Sequence, residues 1–155
     1  TIMHQEFCKI FSRFVEENGI KENEFGLEIT ETAELEDTKK AGESLERLKK
    51  RGIKIALDDF GAGYASLKYI RNLPIDVVKL DRHFTSNISD PSTSRLIKFV
   101  SDVCTELNLE MIGEGIETEK EKNMMIELGC VTGQGFLMHM PSFIEDIKKE
   151  NNDGG

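Results

Sequence analysis

Five short apolar runs in this chain each carry a polar side chain at or near their end. They read FGLEIT, IKIALDDF, DVVKLD, LEMIGEGIE and, more weakly, VTGQGFLM. Between them the apolar period changes from that of a strand to that of a helix. Ala41, Leu45 and Leu48 recur at helical spacing, as do Leu67, Tyr69, Ile70 and Leu73 ahead of Pro74. Leu96, Phe99, Val100, Val103, Cys104 and Leu107 mark the buried face of a longer helix opened by Asp90-Pro91. Met124, Met125 and Leu128 mark another, with Thr118 and Glu121 as its capping box. A helix through Phe7, Ile10, Phe11, Phe14 and Val15 precedes the first run, and a last strand is expected over 131–138. Such alternation gives a parallel sheet with right-handed crossovers. A closed eight-stranded barrel needs at least roughly 200 residues, and this chain has 155. The expected fold is α/β, an incomplete (β/α) TIM-type barrel of about five parallel strands with helices that lacks its N-terminal strands.

A barrel of this type builds its site from the carboxyl ends of its strands. Here those ends carry Glu28, Asp58, Asp59, Lys79, Glu114, Glu117 and Gln134. Adjacent carboxylates such as Asp58 and Asp59 point to opposite sides of an extended strand. At a strand end the backbone turns, and both can reach one centre. Hard anions so placed suit Mg²⁺ or Mn²⁺, and one carboxylate can bridge two ions. Asp-Asp pairs also occur simply as turn or capping residues; the following Phe60-Gly61-Ala62-Gly63-Tyr64 and a patterned helix favour a site. Lys79 lies inside an otherwise apolar strand, where an ammonium is seldom buried without a partner. Nearby carboxylates would supply one, either as an interior ion pair or as part of a site in which Lys79 orients a water or a phosphate oxygen. Glu114 and Glu117 straddle a strand end, one suited to a metal and the other to supporting it. Gln134 is a neutral hydrogen-bonding group between Gly133 and Gly135.

The net charge of −9 argues against a general nucleic-acid binder, which needs a surplus of Lys and Arg. No run is long and apolar enough to span a bilayer, and no signal segment is present, so a cytoplasmic setting is expected. Cys8, Cys104 and Cys130 are widely spaced, form no CxxC pair and are expected to be reduced thiols, the last two in the core. His4, His83 and His139 have no ligand-like spacing.

The segments LEITET, DDFGAGYASL, LPIDVVKLDRHF, GEGIET and GQGF together resemble the EAL-domain phosphodiesterases, which hydrolyse cyclic di-GMP to linear pGpG with two Mg²⁺ or Mn²⁺ ions. The resemblance implies that residues 1–147 are the C-terminal portion of an EAL domain; 148–155 are polar and expected to be a disordered tail. It implies that Glu28 and Asp58 are metal ligands, Asp58 the bridging one, and that Asp59 and Glu114 hold the second ion. By the same resemblance Lys79 lies near the hydrolytic water, with Lys79, Glu114 and Asp59 catalytic. Glu31 anchors the loop from Phe60 to Ser66, which couples dimerisation to substrate and metal binding, and Glu117 and Gln134 position ligands or water. The family's Glu-Ala-Leu motif and its Asn-bearing strand are not in this sequence, so two metal ligands are expected upstream and the chain alone is expected to be inactive. QGFLMHMP also lacks a basic residue often found there.

Cyclic di-GMP is therefore the expected partner. An unpaired edge at FGLEIT would also need cover, and a homodimer or association with the missing N-terminal part is expected. The alternative function is a degenerate EAL domain that acts as a cyclic di-GMP sensor or protein-interaction module.

Overall fold

The computed structural model describes residues 10–11, 13–15, 17–18, 26–30, 38–61 and 66–141, apart from the side chains of 66 and 67. The elements follow in the order β1 (Gly26–Thr30), α1 (Thr38–Lys49), β2 (Lys54–Phe60), α2 (Ser66–Asn72), β3 (Val77–Leu80), α3 (Arg82–Ser86), α4 (Pro91–Glu106), β4 (Glu110–Gly113), α5 (Glu119–Glu127) and β5 (Thr132–Gly133). The five strands form one parallel sheet in chain order. Every connection is thus a crossover between neighbouring strands, the arrangement of a partial TIM-type barrel. No helix among the described residues is long and apolar enough to cross a membrane.

Strand alternation sorts the side chains. Ile29, Ile55, Leu57, Val78, Leu80 and Met111 join Leu45, Leu48, Ile97, Cys104 and Met125 from the helices in one buried cluster. On the other face Glu28, Lys54, Ala56, Lys79, Glu110 and Ile112 border a trough of about 630 Å³. Bulky aliphatics normally fill such a face. Here it is charged at both ends, with Lys54 and Glu110 3.4 Å apart near the strand starts and Glu28 and Lys79 nearer the strand ends.

Asp76 fixes that lower end. Its Oδ2 accepts from the Ile55 amide at 2.9 Å, and its Oδ1 lies 2.6 Å from Lys49 Nζ. Its main chain accepts from Glu110 N and donates to Ile55 O. One residue therefore ties β2, β3 and β4 to the end of α1. Asp76→Ala should cost about 1–3 kcal/mol, because the Ile55 amide loses its acceptor. The check is urea unfolding, with a lower midpoint at unchanged slope.

Helix caps agree with the sequence reading. Asp90 accepts from Ser92 N and Thr93 N, and Thr118 and Glu121 form a complete capping box. Cys104 and Cys130 are buried free thiols; Cys8 lies outside the described residues. The stripe of α4 differs. Ile97, Val100, Ser101 and Cys104 face the core, whereas Leu96, Phe99 and Leu107 are each more than half exposed. Two apolar stripes run along this helix, and periodicity alone does not say which faces the sheet. The last strand is also shorter than expected: only Thr132 and Gly133 pair, and the chain then turns. Helix α3 was not anticipated, since five residues are too few to show a period. It is set by Asp81, whose carboxylate accepts from His83 N at 2.7 Å.

Candidate metal centre

β2 and β3 pair regularly as far as Leu57, then the register shifts before Phe60 meets Leu80. Asp58 and Asp59 occupy that irregularity. Asp59 has φ 54°, the left-handed region, which costs a non-glycine residue about 1 kcal/mol or more. The twist brings two adjacent carboxylates to one centre. Asp58, Asp59 and Glu114 each offer an oxygen, all within 4.8 Å of one another.

Gly61 follows with φ +98°, and a methyl on it would lie 2.1 Å from the Phe84 ring. Gly61 therefore packs directly against α3.

Lys79 reaches this cluster from the middle of β3. Its side chain is 9% exposed, and Nζ lies 2.9 Å from Glu28 Oε1, Asp58 Oδ1 and Glu114 Oε1 alike. Burial works against its charge, but contacts with Asp58, Glu114 and Glu28 outweigh burial and raise its pKa above the ordinary lysine value. The acids show the opposite imbalance. Burial raises the Glu114 carboxyl pKa, and the charges of Asp58 and Asp59 add to it against the pull of Lys79. Burial, then Asp58 and Asp81, raise the pKa of Asp59. Four carboxylates share one ammonium, so the centre lacks positive charge.

A divalent cation would supply it. All donors are carboxylate oxygens, the ligand type that Mg²⁺ and Mn²⁺ favour. Asp58 Oδ1 is moreover buried, and beyond the Lys79 ammonium 2.9 Å away no donor among the described residues reaches it. The residues fit such an ion.

A family model described as the EAL domain matches residues 1–141. The chain belongs to the EAL domain family. It is 41% identical over 116 residues to the cyclic di-GMP phosphodiesterase PdeA of Borreliella burgdorferi, covering 74% of this chain and 17% of that protein. Among solved structures it resembles the EAL domain of Mycobacterium smegmatis DcpA, with TM-score 0.89 and 29% identity over 97% of this chain and 68% of that one. It also resembles Klebsiella pneumoniae BlrP1 in a manganese and cyclic di-GMP complex, with TM-score 0.78 and 27% identity over 86% of this chain and 34% of that one. The chain thus spans a small part of its curated relatives.

In this EAL domain Gln134 Nε2 donates to Glu114 Oε1 at 2.6 Å, although Gln134 stands beyond the paired part of β5. Glu117 lies outside the acidic trio, 3.3 Å from Arg82, and its amide donates to Glu121. Glu28 lies outside the trio and meets it through Lys79, 2.9 Å from its Oε1. Phe60 is buried in the core. Glu31, Gly63 and Tyr64 lie outside the described residues.

The centre opens into a cavity of about 410 Å³ bordered by Asp59, Glu114, Glu117 and Gln134. Asp81, Arg82 and Phe136 border it too and were not singled out from sequence; His139, whose place near the last strand end put it within reach of a ligand, borders it as well. Asp81 carried the same signal as its neighbours, an acid ending an apolar run.

Proposed function

We propose that this chain is the site-bearing part of a cyclic di-GMP phosphodiesterase that hydrolyses its substrate to linear pGpG with two Mg²⁺ or Mn²⁺ ions. The supporting observation is the acidic trio with Lys79 among its carboxylates; the PdeA and BlrP1 likenesses supply the substrate. Glu28 and Asp58 would hold one ion, and Asp59 and Glu114, with Asp58 serving both, would hold the other. When bound, such ions activate water and neutralise phosphodiester charge. Lys79 orients the attacking oxygen, since its ammonium is already fixed among the acids. Gln134 keeps the Glu114 carboxylate turned toward the centre, and Glu117 supports the same wall through Arg82. The glutamate and asparagine that the family adds to the first ion are not among these 155 residues, so this chain alone turns over slowly.

Two samples test this: the chain itself, and a protein in which it follows a Glu-Ala-Leu strand and an Asn strand. Each is incubated with cyclic di-GMP and Mn²⁺ and analysed by chromatography with mass detection. The expected result is pGpG from the second sample, much less from the first, and none from either with EDTA. Binding without turnover in both would favour a sensor; the absence of both binding and turnover would overturn the proposal.

A further inference from the structure

We infer that Thr85 is a positioning residue that holds Glu114 in place at the metal centre. Thr85 lies in α3 and is completely buried. Its Oγ1 donates to the main-chain oxygen of Glu114 at 2.5 Å, across 29 positions of sequence. A buried threonine in a helix commonly bonds a carbonyl of its own preceding turn. Here the hydroxyl crosses to another element.

That element needs it. The ladder between β3 and β4 ends where Leu80 meets Gly113. Glu114 follows directly, with its amide still donating to Leu80 O at 3.1 Å. Its carbonyl has no strand partner, and Thr85 takes that place. Both main-chain polar groups of Glu114 are thus held by the segment that carries Lys79. At Gly115, φ is +65° and a methyl would lie 2.6 Å from Arg82 Cβ, so the chain presses against α3 at this point. Without the hydroxyl, the peptide after Glu114 is free to turn its carbonyl toward solvent. The carboxylate, 2.9 Å from Lys79 and 2.6 Å from Gln134 Nε2, would then leave its place beside Asp58 and Asp59.

The inference rests on the phosphodiesterase reading of the acidic trio, and its test separates the two. Mn²⁺ alone is titrated into the full chain, free Mn²⁺ is followed by electron paramagnetic resonance, and melting is recorded in parallel. Supporting residues around metal ligands affect affinity about 10–100-fold, so Thr85→Val should weaken Mn²⁺ binding about tenfold and Thr85→Ser about twofold or less. A purely structural Thr85 would lower the melting temperature of the valine variant and leave Mn²⁺ affinity unchanged, which would overturn the inference. If the unsubstituted chain binds no Mn²⁺, the metal-centre reading fails and the inference with it. Should Thr85→Val not fold, Thr85→Cys replaces it. Weakening there beyond that of Thr85→Ser supports the inference, and equal affinity overturns it.

Discussion

Replacing Asp58 with asparagine is expected to slow metal-dependent hydrolysis of cyclic di-GMP about a thousandfold, roughly 4 kcal/mol of barrier, in a protein that contains this domain. Three contributions act together. The buried carboxylate oxygen that faces Lys79 at 2.9 Å loses its charge, and with it the carboxylate proposed to serve both ions. Lys79 loses one of three counter-ions at 2.9 Å, and if the new amide group faces it, repulsion pushes the ammonium from its place. Stability should move little or upward. Asp58's charge is one of the causes that raise the pKa of both Asp59 and Glu114, so removing it relieves like-charge repulsion. Active sites commonly trade stability for function in this way. The measurement is initial rate with saturating Mn²⁺, beside a thermal melt. A variant that keeps within tenfold of the parent rate would show that the chemistry lies elsewhere.

The sites that sequence could disclose were those where strand periodicity breaks on a charge. Glu28, Asp58, Lys79 and Glu114 each interrupt or end an apolar run, and each contributes to one ion-pair network. Two features needed coordinates. The left-handed backbone of Asp59 leaves no trace in residue type, because aspartate is ordinary in a turn. Yet that conformation, with the register shift beside it, is what lets neighbouring carboxylates meet. Thr85 was hidden for a different reason. A threonine between Phe84 and Ser86 looks like any helix residue, and only the end of a ladder on another strand gives its hydroxyl a task. The α4 stripe shows a third limit: Leu96 and Phe99 are as apolar as Ile97 and Val100, and only the packing of the helix on β4 decides which pair is buried. The length of β5 was not legible because the chain turns after it, and that turn brings Gly135 against the main chain of Ile116.

Gly135→Ala is expected to be the most damaging small substitution near the centre, costing about 3 kcal/mol or more. A methyl there would sit 2.2 Å from Ile116 O and 2.3 Å from Ile116 N. These are main-chain atoms and cannot swing aside as a side chain does. The chain leaving β4 and the chain leaving β5 are in direct contact here. Ile116 N donates to Gln134 O at 3.1 Å, and Leu137 N donates to Ile116 O at 3.1 Å. Forcing the two apart breaks that pair of bonds and carries Gln134 away from Glu114, so the substitution should remove Mn²⁺ binding together with stability. Gly133→Ala is the control. Its methyl would meet Ile116 Cδ1 at 2.4 Å and Met138 Cε at 3.4 Å, both ends of flexible side chains, and should cost about 1 kcal/mol. Urea unfolding of the two variants gives the comparison. Equal losses would mean that the turn after β5 does not lie against Ile116; a loss at Gly135 at least twice that at Gly133 is the ordering this contact requires.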